Sequence, residues 1–149
     1  SKTHGTFGHG YTYGAHVVAA AVALETLKIY AERDIAARVA QLAPRFLDGL
    51  KRLADNPLVG EVRGVGLIAG VELVADKASK RSFAPEKKMA ARVVAKALAH
   101  GLMVRPLPGD VIALCPPLII TEAEIDLILE RLDKALAETA AEAKSEGLI

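Results

Sequence analysis

Tryptophan is missing from the 149 residues, and aromatic side chains make up only 4% of them. A core built without large rings depends on aliphatic and alanine packing, which favours helices set closely on a small sheet. Cysteine occurs once, at Cys115. That excludes an internal disulfide framework and fits reducing surroundings, read here as cytoplasmic. No apolar run reaches the ~20 residues of a membrane span, because Lys, Arg or Glu interrupts each one. The opening residues lack the apolar stretch of an export signal. Blocks of like charge are also absent: 19 basic residues stand against 18 acidic ones, giving a formal net charge of +1. Neither a nucleic-acid footprint nor electrostatic membrane attachment is expected from that balance. The chain opens at Ser1, without methionine, in polar glycine-rich sequence. A fragment or a processed product is the expectation raised by such a start.

What is present is 52% hydrophobic residues in a one-domain length, enough to bury a core. Residues 1–16 read as an irregular loop. From Val17 to about Ala31 the apolar residues cover much of a helix circumference, which predicts a helix buried on more than one side. Asp34 is placed to cap a second helix to about Ala54, with Ile35, Val39, Leu42, Phe46 and Leu50 on one face and Pro44 bending it. After Asn56-Pro57, branched residues from Val59 to Val74 separated by glycines read as strands, with a bend or bulge at Gly64 and Gly66. Residues 75–84 form a solvated loop. Pro85 opens a helix that runs to His100 and is closed by Gly101. Leu102–Arg105 and Val111–Cys115 read as strands around a tight connection. Thr121 and Glu124 form a capping box for a last helix with Ile125, Ile128, Leu129, Leu132 and Leu136 on its core face, fraying after Ala137. The predicted class is α/β in the broad sense, an α+β arrangement of helices on a small sheet.

Three stretches carry possible chemistry. Gly8-His9-Gly10-Tyr11-Thr12-Tyr13-Gly14-Ala15-His16 joins small residues, a hydroxyl and a helix start, the ingredients of an anion site. By spacing alone it is a weak phosphate-loop signal, and a threonine satisfying its own turn is the rival reading. Gly64-Val65-Gly66-Leu67-Ile68-Ala69 fits a loose dinucleotide pattern, but the β-forming residues after it argue against the helix that pattern requires. Arg105 precedes Pro106-Leu107-Pro108-Gly109-Asp110, and its planar fork could grip a carboxylate or simply face solvent. His4, His9 and His16 match no metal-ligand spacing. Cys115, among apolar residues, is expected to be buried and inert.

Taken in order, the tyrosine-rich loop, Gly60–Leu73 and the run from Val104 to Leu118 resemble the C-terminal portion of the class III pyridoxal-phosphate-dependent aminotransferases, omega-transaminase type. Phe7, His9, Gly10, Tyr11, Thr12, Tyr13 and His16 match the family loop; Gly14, Ala15 and Val17 replace its serine, glycine and proline. The resemblance implies the fold-type I C-terminal domain. It divides the chain into a dimer-crossing loop (1–16), helices linking large and small domains (17–54) and a small C-terminal domain (55–149). It implies a homodimer in which Tyr11 and Thr12 serve the phosphate of pyridoxal 5'-phosphate in the partner subunit. It makes Arg105 the mobile residue that holds the carboxylate of an amino or keto acid, with an extra proline nearby restricting its swing. Arg63 is expected to tether a neighbour. The family's Schiff-base lysine and the acid for the pyridine nitrogen have no counterpart here. Lys2 lies too close to the loop to be that lysine, so no catalytic residue is assigned. The implied parent exchanges amino groups between an amine or amino acid and a keto acid, with an N-terminal large domain missing from this chain and the chain alone inactive. Two rivals stay open: a non-catalytic binding or regulatory module with the small-domain fold, and a nicotinamide-dependent oxidoreductase resting on the glycine pattern. Exposed apolar surface on residues 17–31 is the expected mark of truncation.

Overall fold

The structure, a computed structural model, describes Thr3, Gly5 and residues 8–149. The expectations for Lys2, His4 and Phe7 fall outside the described residues. The chain divides into two compact units, residues 1–36 and residues 37–149.

The first unit holds the loop and helix α1 (Val17–Glu32). Its mean hydropathy is high all round, yet no α1 residue is buried. The expectation of burial on more than one side fails for a simple reason. An apolar helix needs a second surface, and the described residues of this unit supply no other complete helix or strand. Asp34 does not cap the next helix either: it sits at φ 45°, whereas a capping residue needs an extended backbone to turn its side chain onto the first free N–H groups.

Helix α2 (Ile35–Arg52) runs through Pro44 without a break and continues as a 3-10 turn, Leu53–Asp55. Its predicted face is inward: Ile35, Leu42, Phe46 and Leu50 are buried and Val39 half-buried. The Asn56 side chain then accepts the Leu58 N–H at 3.0 Å and turns the chain into the sheet. Strands β1 (Val59–Val65), β2 (Ile68–Leu73), β3 (Arg105–Leu107) and β4 (Val111–Leu114) form one antiparallel sheet in the order β1-β2-β4-β3. Ala69, Val71, Leu73, Ile112 and Leu114 alternate onto one face and are buried in a common core with Phe46, Leu50, Met89, Val93, Ile125, Leu132 and Leu136. Burying each of the larger aliphatic or aromatic side chains contributes roughly 1.5–3 kcal/mol.

The helix predicted from Pro85 starts later. Pro85–Lys87 is a 3-10 turn, Lys88 takes a left-handed backbone at φ 48°, and α3 spans Met89–Ala99. Gly101, at φ 77°, ends it: its N–H donates to the Leu98 carbonyl, and the Leu102 N–H to the Ala97 carbonyl. Leu102 is thereby committed to the helix end, which is why β3 begins at Arg105 and not at Leu102. Cys115 is exposed, against expectation. Side chains alternate along β4, so with Ile112 and Leu114 inward the next residue faces out.

Helix α4 (Glu122–Ser145) begins at the predicted capping box, with Thr121 Oγ1 accepting the Glu124 N–H and Glu124 accepting the Thr121 N–H. It does not fray after Ala137. Thr139, Ala140 and Ala143 are buried, and ion pairs to α3 cover the outer side: Arg92 to Glu142 at 3.0 Å and to Glu146 at 2.5 Å, Lys96 to Glu142 at 2.5 Å. Small residues hid this face from the hydrophobic pattern.

Candidate functional site

In the first unit, the loop folds into a turn between Tyr11 and His16. The Gly14 N–H donates to the Tyr11 carbonyl at 2.9 Å and the His16 N–H to the Tyr13 carbonyl at 3.2 Å. A side chain at Gly14 would place its Cβ 3.1 Å from the Tyr11 oxygen, so the tight turn favours glycine here. Ala15 follows in the left-handed region at φ 61°, where the family pattern has glycine. His16 then caps α1, its Nδ1 accepting the Ala19 N–H at 3.3 Å. The cap starts the helix at Val17 without the proline of the family pattern. Tyr11 and Tyr13 are exposed, and the Tyr11 ring meets the His9 ring edge-on at 5.1 Å. Thr12 is exposed, and its hydroxyl makes no hydrogen bond to any described residue. A threonine serving its own turn would have spent that hydroxyl locally.

In the second unit, register sets out the other candidate. Arg63 pairs with Gly70, Gly70 with Ala113 and Ala113 with Arg105, so these four form one row across the sheet. Directly paired residues share a face, and this one is opposite the core. The row carries an arginine on each edge strand and two small residues between them. Arg63 is engaged, with Nη1 bonded to Glu72 at 2.5 Å and to Glu61 at 3.1 Å. The Glu72 carboxylate holds the Arg63 guanidinium above its usual value, with Glu61 adding to it. Arg105 is exposed and makes no hydrogen bond or ion pair to any described residue. Its fork is therefore open to an anionic ligand.

Gly64 and Gly66 belong to the β1–β2 hairpin. A Cβ on Gly64 would lie 2.5 Å from the Ile68 carbonyl oxygen, and Gly66 makes the turn at φ 58°. A strand follows them, so the helix needed to receive a dinucleotide phosphate is lacking. A groove of about 590 Å³ is lined mostly by apolar side chains, including Met103, Ile119 and Leu127, and none of Tyr11, Thr12 and Arg105 lines it. Thr12 and Arg105 lie in separate units.

A family model, aminotransferase class-III, matches residues 2–136. The chain belongs to the class-III aminotransferase family. Its members work with pyridoxal phosphate, and the match spans both stretches described above. Gamma aminobutyrate transaminase 3 of Solanum lycopersicum, a chloroplastic protein, is 45% identical over 139 residues, covering 93% of this chain and 26% of the relative. Mitochondrial gamma-aminobutyrate transaminase 1 of Oryza sativa subsp. indica is 44% identical over 149 residues, covering 98% of this chain and 29% of the relative. The aminotransferase of Vibrio fluvialis in its PMP-bound form superposes with a TM-score of 0.84 at 40% identity, over 92% of this chain and 30% of that one. This class-III chain thus spans between a quarter and a third of the length of these relatives. The cytoplasmic expectation is overturned by the chloroplastic and mitochondrial relatives. A lone cysteine separates reducing from oxidising surroundings and carries no information about which reducing compartment holds the protein.

Asp110 makes a contact that the sequence did not announce. It was visible only as part of a Gly-Asp turn; its side chain accepts the Ala90 N–H at 2.9 Å. An acid after a turn glycine was the available signal, but its helix partner lies 20 positions away and leaves no local trace.

Proposed function

We propose that this chain is the C-terminal part of a homodimeric class-III aminotransferase that moves an amino group between an amine or amino acid and a keto acid. In this reading residues 1–16 reach the partner subunit's cofactor, 17–54 link the large and small domains, and 55–149 form the small domain. Bound pyridoxal phosphate supplies the electron-withdrawing ring that makes a proton at the donor carbon removable. The chain's own residues do the anion work. The Thr12 hydroxyl donates to a phosphate oxygen, with Tyr11 beside it. The Arg105 fork holds the substrate carboxylate by two parallel bonds and so fixes which end of the substrate faces the reacting centre. The donors present fit these groups: a hydroxyl in a glycine-rich turn and a guanidinium on the sheet face opposite the core, neither bonded to any described residue.

No lysine or acid here fills the catalytic positions, so the isolated chain is expected to be inactive. The share of the relatives covered and the aliphatic exposure of α1, with Val17 79% and Leu24 63% exposed, support a part of a larger whole over an independent binding module. The observation that carries the reading is Arg105, bonded to no described residue and standing where the family pattern has its carboxylate arginine. In the full-length enzyme, Arg105→Ala is expected to lower kcat/KM for keto acids about 10- to 100-fold, the scale of a lost charged hydrogen-bond pair, and to change simple amines far less. Steady-state kinetics with both classes checks it; an equal loss for both removes Arg105 from the carboxylate.

A further inference from the structure

Helix α3 begins without a cap of its own. Lys88, at the capping position, has φ 48° and ψ 48° and makes no side-chain cap bond. The first N–H groups of a helix have no intrahelical partner, and the Ala90 N–H is one of them. Asp110 supplies the acceptor, with Oδ1 at 2.9 Å from the Ala90 nitrogen. A carboxylate also suits the positive end of the helix dipole. The main-chain carbonyl of the same Asp110 accepts the Leu73 N–H at 2.9 Å. One residue thus ties three elements: the β3–β4 hairpin, the start of α3 and the end of β2.

The hairpin depends on such a tie. Strand β3 has three residues, lies at the sheet edge and is paired on one side only, to β4. Its middle residue, Pro106, has no N–H to give. Arg105 opens this strand. We infer that Asp110 is a positioning residue for Arg105: by capping α3 it fixes the hairpin and thereby sets how well the Arg105 fork meets a substrate carboxylate. The inference rests on the reading of Arg105 as the carboxylate-holding residue.

The backbone of Asp110, at φ 54°, dictates the variants. Glycine and asparagine both accept the left-handed region, but only asparagine keeps an oxygen for the Ala90 N–H. In the full-length enzyme, Asp110→Gly is expected to raise KM for pyruvate about fivefold or more, because a bidentate grip tolerates little displacement, while kcat and KM for benzylamine stay within about twofold. Asp110→Asn is expected to stay within about twofold of the unaltered enzyme for both substrates, its amide oxygen replacing the lost acceptor. An unchanged pyruvate KM in Asp110→Gly, an equal rise for benzylamine, or no rescue by asparagine overturns the inference. Should Asp110→Gly not fold, Asp110→Ser, a shorter and weaker acceptor, carries the same comparison, and an equal rise for both substrates again overturns it. Arg105→Ala measured alongside separates the two ideas. If it leaves the pyruvate KM unchanged, the carboxylate reading itself fails; if it raises that KM while Asp110→Gly does not, only the role of Asp110 fails.

Discussion

Ala15 holds a left-handed backbone at φ 61° in the turn that presents Thr12. That region costs an alanine roughly 1–2 kcal/mol, and glycine escapes the cost at the expense of a floppier unfolded chain. Ala15→Gly is therefore expected to be neutral or to stabilise by up to about 1 kcal/mol, while β-branched Ala15→Val destabilises by more than about 1 kcal/mol, read from denaturant midpoints. Thr12 gives a functional counterpart. On the proposed reading its hydroxyl donates to the cofactor phosphate, and removing it should then weaken cofactor binding about tenfold, the worth of one charged hydrogen bond. Thr12→Ala in full-length apoenzyme titrated with pyridoxal phosphate tests this, and an unchanged Kd takes Thr12 out of the site. At this scale the sequence was informative about residue type and less so about conformation. The hydroxyl and the guanidinium on which the proposal rests could be picked out by residue type. That Asp34, Lys88 and Asp110 would sit at positive φ could not, because each obeys a neighbour distant in sequence or a turn that other residues define.

Between α3 and α4 runs a ladder of charges. Lys96 first and Arg92 second hold the Glu142 carboxyl below its usual range, and Arg92 holds Glu146 below it as well. Arg92 is itself raised by Glu146 and then Glu142, so the shifts agree on both sides. A carboxylate with a depressed folded value adds stability that is complete above its unfolded value and is lost as pH falls through the folded one. The thermal midpoint should therefore decline as pH drops from about 5 to about 3, and Glu142→Gln should flatten that decline. Added salt should weaken the effect, since these carboxylates are more than a third exposed. An identical pH profile in the Glu142→Gln protein would show that the ladder contributes nothing. The same helix pair marks where element boundaries escaped the sequence. The stripe of Ile125, Ile128, Leu129, Leu132 and Leu136 announced α4, but its last turns are held by Ala140, Ala143 and ion pairs, which a hydrophobic pattern does not register.

For the molecule as a whole, the α+β class and the hairpin glycines were legible because alternation and turn chemistry are local. The strand order β1-β2-β4-β3 was not, since pairing β2 with β4 skips a helix and a strand. Register is also what brings Arg63, Gly70, Ala113 and Arg105 into one row, and nothing in their spacing along the chain suggests it. That row has a practical corollary for anyone who wishes to redirect substrate choice. Along β4, Val111 and Ala113 look outward while Ile112 and Leu114 are locked in the interior. On the reading of Arg105 as the carboxylate-holding residue, randomising the odd-numbered pair alters the surface beside that arginine, whereas randomising the even-numbered pair disturbs the core and costs stability. An engineer can leave half of this stretch untouched and lose no useful diversity.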